Sequence, residues 1–333
     1  MFDIHHTGWA SSQCNGRSDY LLSRPGASKK RRIPVAIIGA ASGLGALDQG
    51  CALGPDVLRN SGLVQALREE GIPAVWEVMV HQPTAIDPFG NIKTIQVFFR
   101  QLADCVFNVL QRGRRFVVVG GDHSCAIGTW SAAAAAVQGC GPLGLIWIDA
   151  HMDSHTPATS PSRAVHGMPL ACLLCYGPTE LTRLLYPWAK LLPQHVCLVG
   201  ARSFEETEAR LLKEIGVRVI TMQELERRGL PWAMKNAFAI AATGTAGFGV
   251  SIDLDAIDPG DAPAVGTPAP AGLRARELIA SFSLLDRGPE LLGVEVAEFN
   301  PLRDRNDITA HLVGDLLGAC LAPLKETVPC AAP

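Results

Sequence analysis

From Pro34 onward the chain alternates between short, β-branched apolar runs and longer stretches with helical spacing. The runs Val35–Ile38, Ala74–Val80, Phe116–Val119, Leu143–Ile148, Val196–Val199, Arg218–Thr221, Gly249–Ile252 and Leu292–Val296 read as strands. Several are apolar at consecutive positions, as expected of strands covered on both faces. Between them, Ile95, Phe98, Leu102, Val106 and Val109 recur every three or four residues and give one apolar helical face. Gly54-Pro55 reads as a helix start, Glu206–Ile215 and Asp307–Leu321 as helices, and the run Ala132–Ala136 as part of a close-packed helix. This alternation predicts an α/β fold, with helices on both sides of a mainly parallel sheet.

Composition fits that picture. Of 333 residues, 48% are hydrophobic and 18% charged, enough to bury a sizeable core in one large domain. No apolar run approaches the roughly 20 residues that span a bilayer. A formal charge of −3 gives no reason to expect nucleic acid or an anionic membrane as partner. Ten cysteines are scattered, and only Cys172 and Cys175 form a CxxC. Without a second pair that motif reads as buried thiols on a helix, and the scatter fits a reducing, cytoplasmic setting. Residues 1–33 differ: polar, acid-poor and ending near Lys29-Lys30-Arg31-Arg32, they read as an arm, with organelle targeting as the alternative.

The chemistry collects after four of the strands. Gly120-Gly121-Asp122-His123-Ser124 follows the third run, and Asp149-Ala150-His151-Met152-Asp153 follows the fourth. Asp253-Leu254-Asp255 and, further on, Asp258-Pro259 follow the seventh, and Glu298-Phe299-Asn300-Pro301 the eighth. In parallel sheets ligands bind beyond the carboxyl ends of strands. Residues i, i+2 and i+4 of an extended segment point the same way, so Asp149, His151 and Asp153 can converge, as can Asp253 and Asp255. Converging carboxylates repel unless cations neutralise them. Two histidines among them make an N/O donor set suited to Mn²⁺, Fe²⁺ or Zn²⁺ rather than Ca²⁺ or Mg²⁺.

With GGDHS, DAHMD, SIDLDAIDP (Ser251–Pro259), GTP (Gly266–Pro268) and the Glu298 segment in this order, the chain resembles the arginase–agmatinase (ureohydrolase) family from about Pro34 to Leu321. The resemblance implies a three-layer α/β/α fold around an eight-stranded, mainly parallel sheet. Residues 34–325 would form one catalytic domain, between the extension and a tail at 326–333. It implies two Mn²⁺ per subunit: the first held by His123, Asp149, Asp153 and Asp253, the second by Asp149, His151, Asp253 and Asp255. Such a pair would activate a water toward the planar guanidinium carbon of a small substrate. Asp153 would orient the nucleophile and pass its proton on, Glu298 would pair with the guanidinium, and His166 would shuttle protons. Relatives of this kind are trimers or hexamers.

The pattern departs where the family sets its substrate. The loop Ser154–Val165 has arginase-like length and a Thr156-Pro157 start, but His155 replaces a typical Asn. Ser162-Arg163-Ala164 stands where arginases carry Ser-Gly-Asn, so only Ser162 survives. Glu205 falls near the acidic position that contacts the α-amino group, and Thr267 is either a substrate-side hydroxyl or a turn residue. Two substrate readings follow. In one, Arg163 and His155 bind a carboxylate and arginine is the substrate; in the other, Arg163 faces solvent and the pocket takes another guanidine or a formimino compound. A catalytically idle, metal-binding relative is the remaining alternative.

Overall fold

The apolar runs become strands in the computed structural model, which describes residues 33–83, 92–284 and 291–322. The expected extension up to residue 32 and the expected tail 326–333 lie outside the described residues. The strands are β1 (Val35–Ala41), β2 (Ala74–His81), β3 (Phe116–Gly120), β4 (Leu143–Ile148), β5 (Val196–Ala201), β6 (Arg218–Thr221), β7 (Gly247–Asp253) and β8 (Leu291–Ala297). They form one eight-stranded sheet in the order β2-β1-β3-β8-β7-β4-β5-β6. Every ladder is parallel, so the expected "mainly parallel" sheet is parallel throughout its described strands.

Successive side chains of a strand face opposite sides, and this splits the core in two. Ile37, Val117, Val119, Ile146 and Ile148 pack with residues of helices Gly54–Asn60, Leu63–Glu69, Leu230–Ala242 and Ile308–Leu321. Ile38, Phe116, Val118, Leu145 and Trp147 pack with helices Ile92–Gln111 and Ala126–Val137 on the other face. The result is the three-layer arrangement. The five expected apolar positions of the long helix, Ile95 to Val109, are all buried.

The order of strands decides where the chemistry goes. β3, β8, β7 and β4 are neighbours in the middle of the sheet, and they are the four strands that run into the acidic motifs. Their carboxyl ends therefore open into one shared crevice. The CxxC expectation needs a correction. Cys172 is buried in helix Pro169–Leu173, but that helix ends before Cys175, which is exposed and turns the chain at φ +74°. A left-handed residue cannot continue the helix, so only Cys172 is a buried helical thiol.

Leu145 is fully buried on β4. Leu145→Ala removes packed methyl groups without altering the site and should lower the unfolding free energy by about 2–5 kcal/mol. Denaturant titration should show a lower midpoint at an unchanged slope, and a midpoint equal to the parent's would contradict this assignment of the core.

Candidate metal centre

His123 enters from a tight turn after β3. Asp122 caps that turn: its Oδ1 accepts from Ser124 N at 3.0 Å and from the Ser124 hydroxyl, and its Oδ2 accepts from Gly45 N at 2.9 Å. Gly45 also accepts, through its carbonyl, from His166 N at 3.0 Å. The loop after β1 thus fixes both the His123 turn and the His166 segment. A Cβ on Gly45 would collide with Ser124 Oγ and Asp122 Oδ1, which is why glycine stands there.

The His123 ring lies stacked on Trp147, with centroids 4.3 Å apart. Its Nδ1 lies 3.0 Å from Asp253 Oδ2, 3.1 Å from Asp149 Oδ2 and 3.1 Å from Asp153 Oδ2. The second histidine, His151, has its Nδ1 3.1 Å from Asp255 Oδ2 and 3.6 Å from Asp149 Oδ1. Asp149 therefore presents one oxygen to each histidine. The sequence-predicted ligands fall into two donor triads, His123/Asp149/Asp253 and Asp149/His151/Asp255, that share Asp149, with Asp153 beside the first.

Two observations test whether cations fit. His123 Nδ1 and Asp153 Oδ2 are buried 3.1 Å apart, yet neither makes a well-directed hydrogen bond, and buried polar atoms are rarely left so. The charges are also unbalanced. Burial, then Asp149, pushes Asp153 up to about 8; burial, then Asp255 and Asp149, holds Asp253 well above the carboxylate range. Burial opposes the charged His123 ring, yet Asp149, Asp153 and Asp253 raise it far above an ordinary imidazole. Without cations, protons must neutralise this pocket. N/O donors in this number fit a divalent transition metal.

A buried network orients His123, the first candidate ligand. Glu295, fully buried on β8, accepts from Ser251 Oγ at 2.8 Å, Trp130 Nε1 at 2.9 Å and Thr129 Oγ1 at 2.6 Å. With its proton committed to Glu295, Ser251 Oγ accepts from His123 Nε2, 3.0 Å away. That assignment leaves Nδ1 as the ring nitrogen facing the carboxylates. Gly249 has no Cβ to collide with the Trp130 ring, so the indole can lie on the sheet and reach Glu295. Arg202 adds a second brace, donating to the carbonyls of Asp255 at 2.7 Å, Ala256 at 3.0 Å and Ala269 at 2.7 Å. Sequence reading assigned no role to Glu295 or Arg202.

Above the triads, Glu298 Oε1 accepts from His123 N at 2.9 Å and lies 3.1 Å from His166 Nδ1. Burial disfavours the His166 imidazolium, but Glu298 raises it to about 9. Asp153 and Glu298 both hold left-handed backbones, φ +49° and +68°. Such conformations cost roughly 1–3 kcal/mol each and persist where surroundings enforce them. Glu298 N donates to Gly121 O at 2.8 Å, and Asp153 O accepts from Leu170 N at 3.0 Å.

The expected substrate residues are placed less uniformly. His155 is buried, its Nε2 2.9 Å from Glu205 Oε2 and 3.3 Å from Glu208 Oε2. Glu205 is also the N-cap of helix Glu206–Ile215, in a capping box with Glu208. Ser162 is exposed and accepts from Ala164 N within its own loop, and Arg163 is exposed at φ +58°. Thr267 donates to Asp255 Oδ2 at 3.0 Å. Asp258 closes a turn by accepting from Gly260 N and Gly272 N.

The sequence model of the arginase family matches residues 33–322, most of the chain. The chain belongs to the arginase family. It is 36% identical over 293 residues to the arginase of Bacillus caldovelox, covering 86% of this chain and 97% of that one. The solved native structure of that B. caldovelox arginase superposes with a TM-score of 0.82 at 35% identity, covering 87% and 98% of the two chains. Proclavaminate amidino hydrolase of Streptomyces clavuligerus superposes at 0.69 with 26% identity, covering 87% and 91%. As an arginase-family fold, the chain carries its acidic motifs on the four central strands. Among its described residues, no helix is long and apolar enough to cross a membrane.

Two outcomes are expected. Glu295→Gln should weaken Mn²⁺ binding on the order of 10–100-fold in equilibrium dialysis, with the circular dichroism unchanged. An unaltered affinity would remove Glu295 from the site's support. Because His123 and His151 are held protonated above neutrality in the metal-free pocket, each cation must displace protons. Mn²⁺ affinity should therefore climb with rising pH. Calorimetry in two buffers of different ionisation enthalpy should show net proton release, and equal heats in both would refute it.

Proposed function

We propose that the protein is a binuclear manganese ureohydrolase that cleaves a guanidino C–N bond and releases urea, with L-arginine to L-ornithine as the first conversion to test. The observation that carries this reading is the pair of His/Asp triads sharing Asp149 directly beside Glu298. Two dications there would supply charge neutralisation and Lewis acidity toward a water. His123, Asp149, Asp153 and Asp253 would hold one, and Asp149, His151, Asp253 and Asp255 the other.

The chain's own groups then divide the work. Glu298 offers a buried carboxylate to the planar guanidinium. Asp153, with an unpartnered oxygen facing the pocket, holds the nucleophile's proton and returns it to the leaving nitrogen. His166 is about one-fifth exposed and within hydrogen-bond distance of Glu298, so it joins the buried pocket to solvent as a proton shuttle. Similarity to arginases along the chain supports arginine as substrate. Against it stand Ser162 and Arg163, both exposed, and a His155 already engaged by Glu205 and Glu208. These favour a second reading, in which the pocket takes another guanidine such as agmatine or 4-guanidinobutyrate. The family likeness also supports a trimer or hexamer in the cytoplasm.

The Mn²⁺-loaded protein should release urea from arginine, agmatine or 4-guanidinobutyrate, and Asp153→Ala should lower the rate by about 10²–10⁴-fold. Release from arginine alone supports the first reading, and release from another guanidine the second. No urea from any of the three sinks both and leaves a formimino substrate or an idle relative.

A further inference from the structure

Glu298 leaves its strand in a left-handed conformation, so strand geometry does not aim its carboxylate; contacts from elsewhere do. Its Oε1 is crowded, facing His123 N at 2.9 Å and His166 Nδ1 at 3.1 Å. A carboxylate oxygen has about two lone-pair sites, so these two neighbours fill Oε1. Among the described residues, Oε2 has one protein donor, the thiol of Cys51 at 3.2 Å. Cys51 is fully buried, and burial, reinforced by the Glu298 charge, drives its thiol far above the ordinary range. The group therefore stays S–H and acts as a donor to Glu298.

The Cys51 segment is built against the Glu298 loop. Asp48 caps the turn Gln49–Leu53 through Gly50 N, and its Oδ2 lies 2.7 Å from Arg303 Nη2 and 3.2 Å from Asn300 Nδ2. A Cβ on Gly54 would sit 2.5 Å from Phe299 O. On the other side, Gly266 lies against Glu298, where an added Cβ would be 3.3 Å from Oε2 and 3.8 Å from Cys51 Sγ.

We propose that Cys51 is a positioning residue for substrate recognition: its S–H fixes the rotamer of Glu298 and keeps Oε2, rather than the filled Oε1, as the oxygen that receives the guanidinium. A thiol is a weak donor. It orients the carboxylate through one lone-pair site of Oε2 and leaves the second open to the substrate. This role rests on the ureohydrolase reading of the site.

The test uses the Mn²⁺-loaded, full-length protein and whichever of arginine, agmatine and 4-guanidinobutyrate the wild type turns over. Cys51→Ala and Cys51→Val remove the donor, the first leaving space and the second filling it. Both should raise KM on the order of tenfold while kcat changes much less, because the lost interaction is made in ground and transition states alike. Cys51→Ser keeps a donor at the same place and should restore KM to within a few-fold. A KM unchanged in both Ala and Val variants, or a Ser variant as impaired as Ala, overturns the proposal. Infrared difference spectra of wild type against Glu298→Gln give a readout that needs no turnover. The S–H stretching band of Cys51 should move to higher frequency when the carboxylate is neutralised, and an unmoved band also overturns the proposal. A wild type that is active with unaffected Cys51 variants defeats this inference alone. A wild type that yields no urea from any guanidine defeats the functional reading, and this role with it.

Discussion

Like charges forced together at the carboxyl ends of the central strands are the constraint around which this molecule is arranged. Asp149, Asp153, Asp253 and Asp255 are each at least 96% buried, within reach of two imidazoles, where water cannot screen them. In such a setting carboxylates ionise together only beside compensating positive charge. Without such charge, the surroundings favour the protonated forms of His123, His151, Asp153 and Asp253. A pair of dications would satisfy the same electrostatics while leaving the carboxylates ionised and the imidazoles unprotonated.

The fold supplies the rigidity that this concentration of charge needs. A sheet buried on both faces has little freedom to relax, so side chains at its strand ends are held at nearly fixed separations. Strain is then tolerable at Asp153 and Glu298, whose left-handed backbones are enforced by bonds to Leu170 N and Gly121 O. Support continues beneath the site. The chain His123–Ser251–Glu295, closed by Trp130 and Thr129, lets a fully buried carboxylate orient a histidine it never touches. Its polar groups are mutually satisfied, which is the condition for such a network to stabilise rather than weaken a core.

Much of this was legible along the chain because it is encoded locally. Each candidate strand lies within an observed one, with edges shifted by at most three residues, since a buried strand is a run of adjacent apolar residues. The D-x-H-x-D and D-x-D side chains do meet, but through turns rather than strand periodicity: Asp149 and Asp253 accept from the N–H two residues on, Asp255 lies in the 3-10 turn Leu254–Ala256, and Asp153 is left-handed. Where the local rule fails, a neighbour in space has intervened. His155 is taken up by Glu205 and Glu208, about fifty residues on.

The sequence by itself determined the secondary structure, the parallel α/β class and the donor types of the metal centre, all of which depend on residues a few positions apart. Only the tertiary structure decided that β8 lies between β3 and β7, bringing Glu298 over ligands that come from three other strands. It also decided that Glu295 braces His123, that Cys51 reaches across 247 residues to Glu298, and that Ser162 and Arg163 face outward. The physical reason is that strand order and long-range contact follow from packing the whole chain into two cores around one sheet. No period in the sequence records which distant residue ends up 3 Å away.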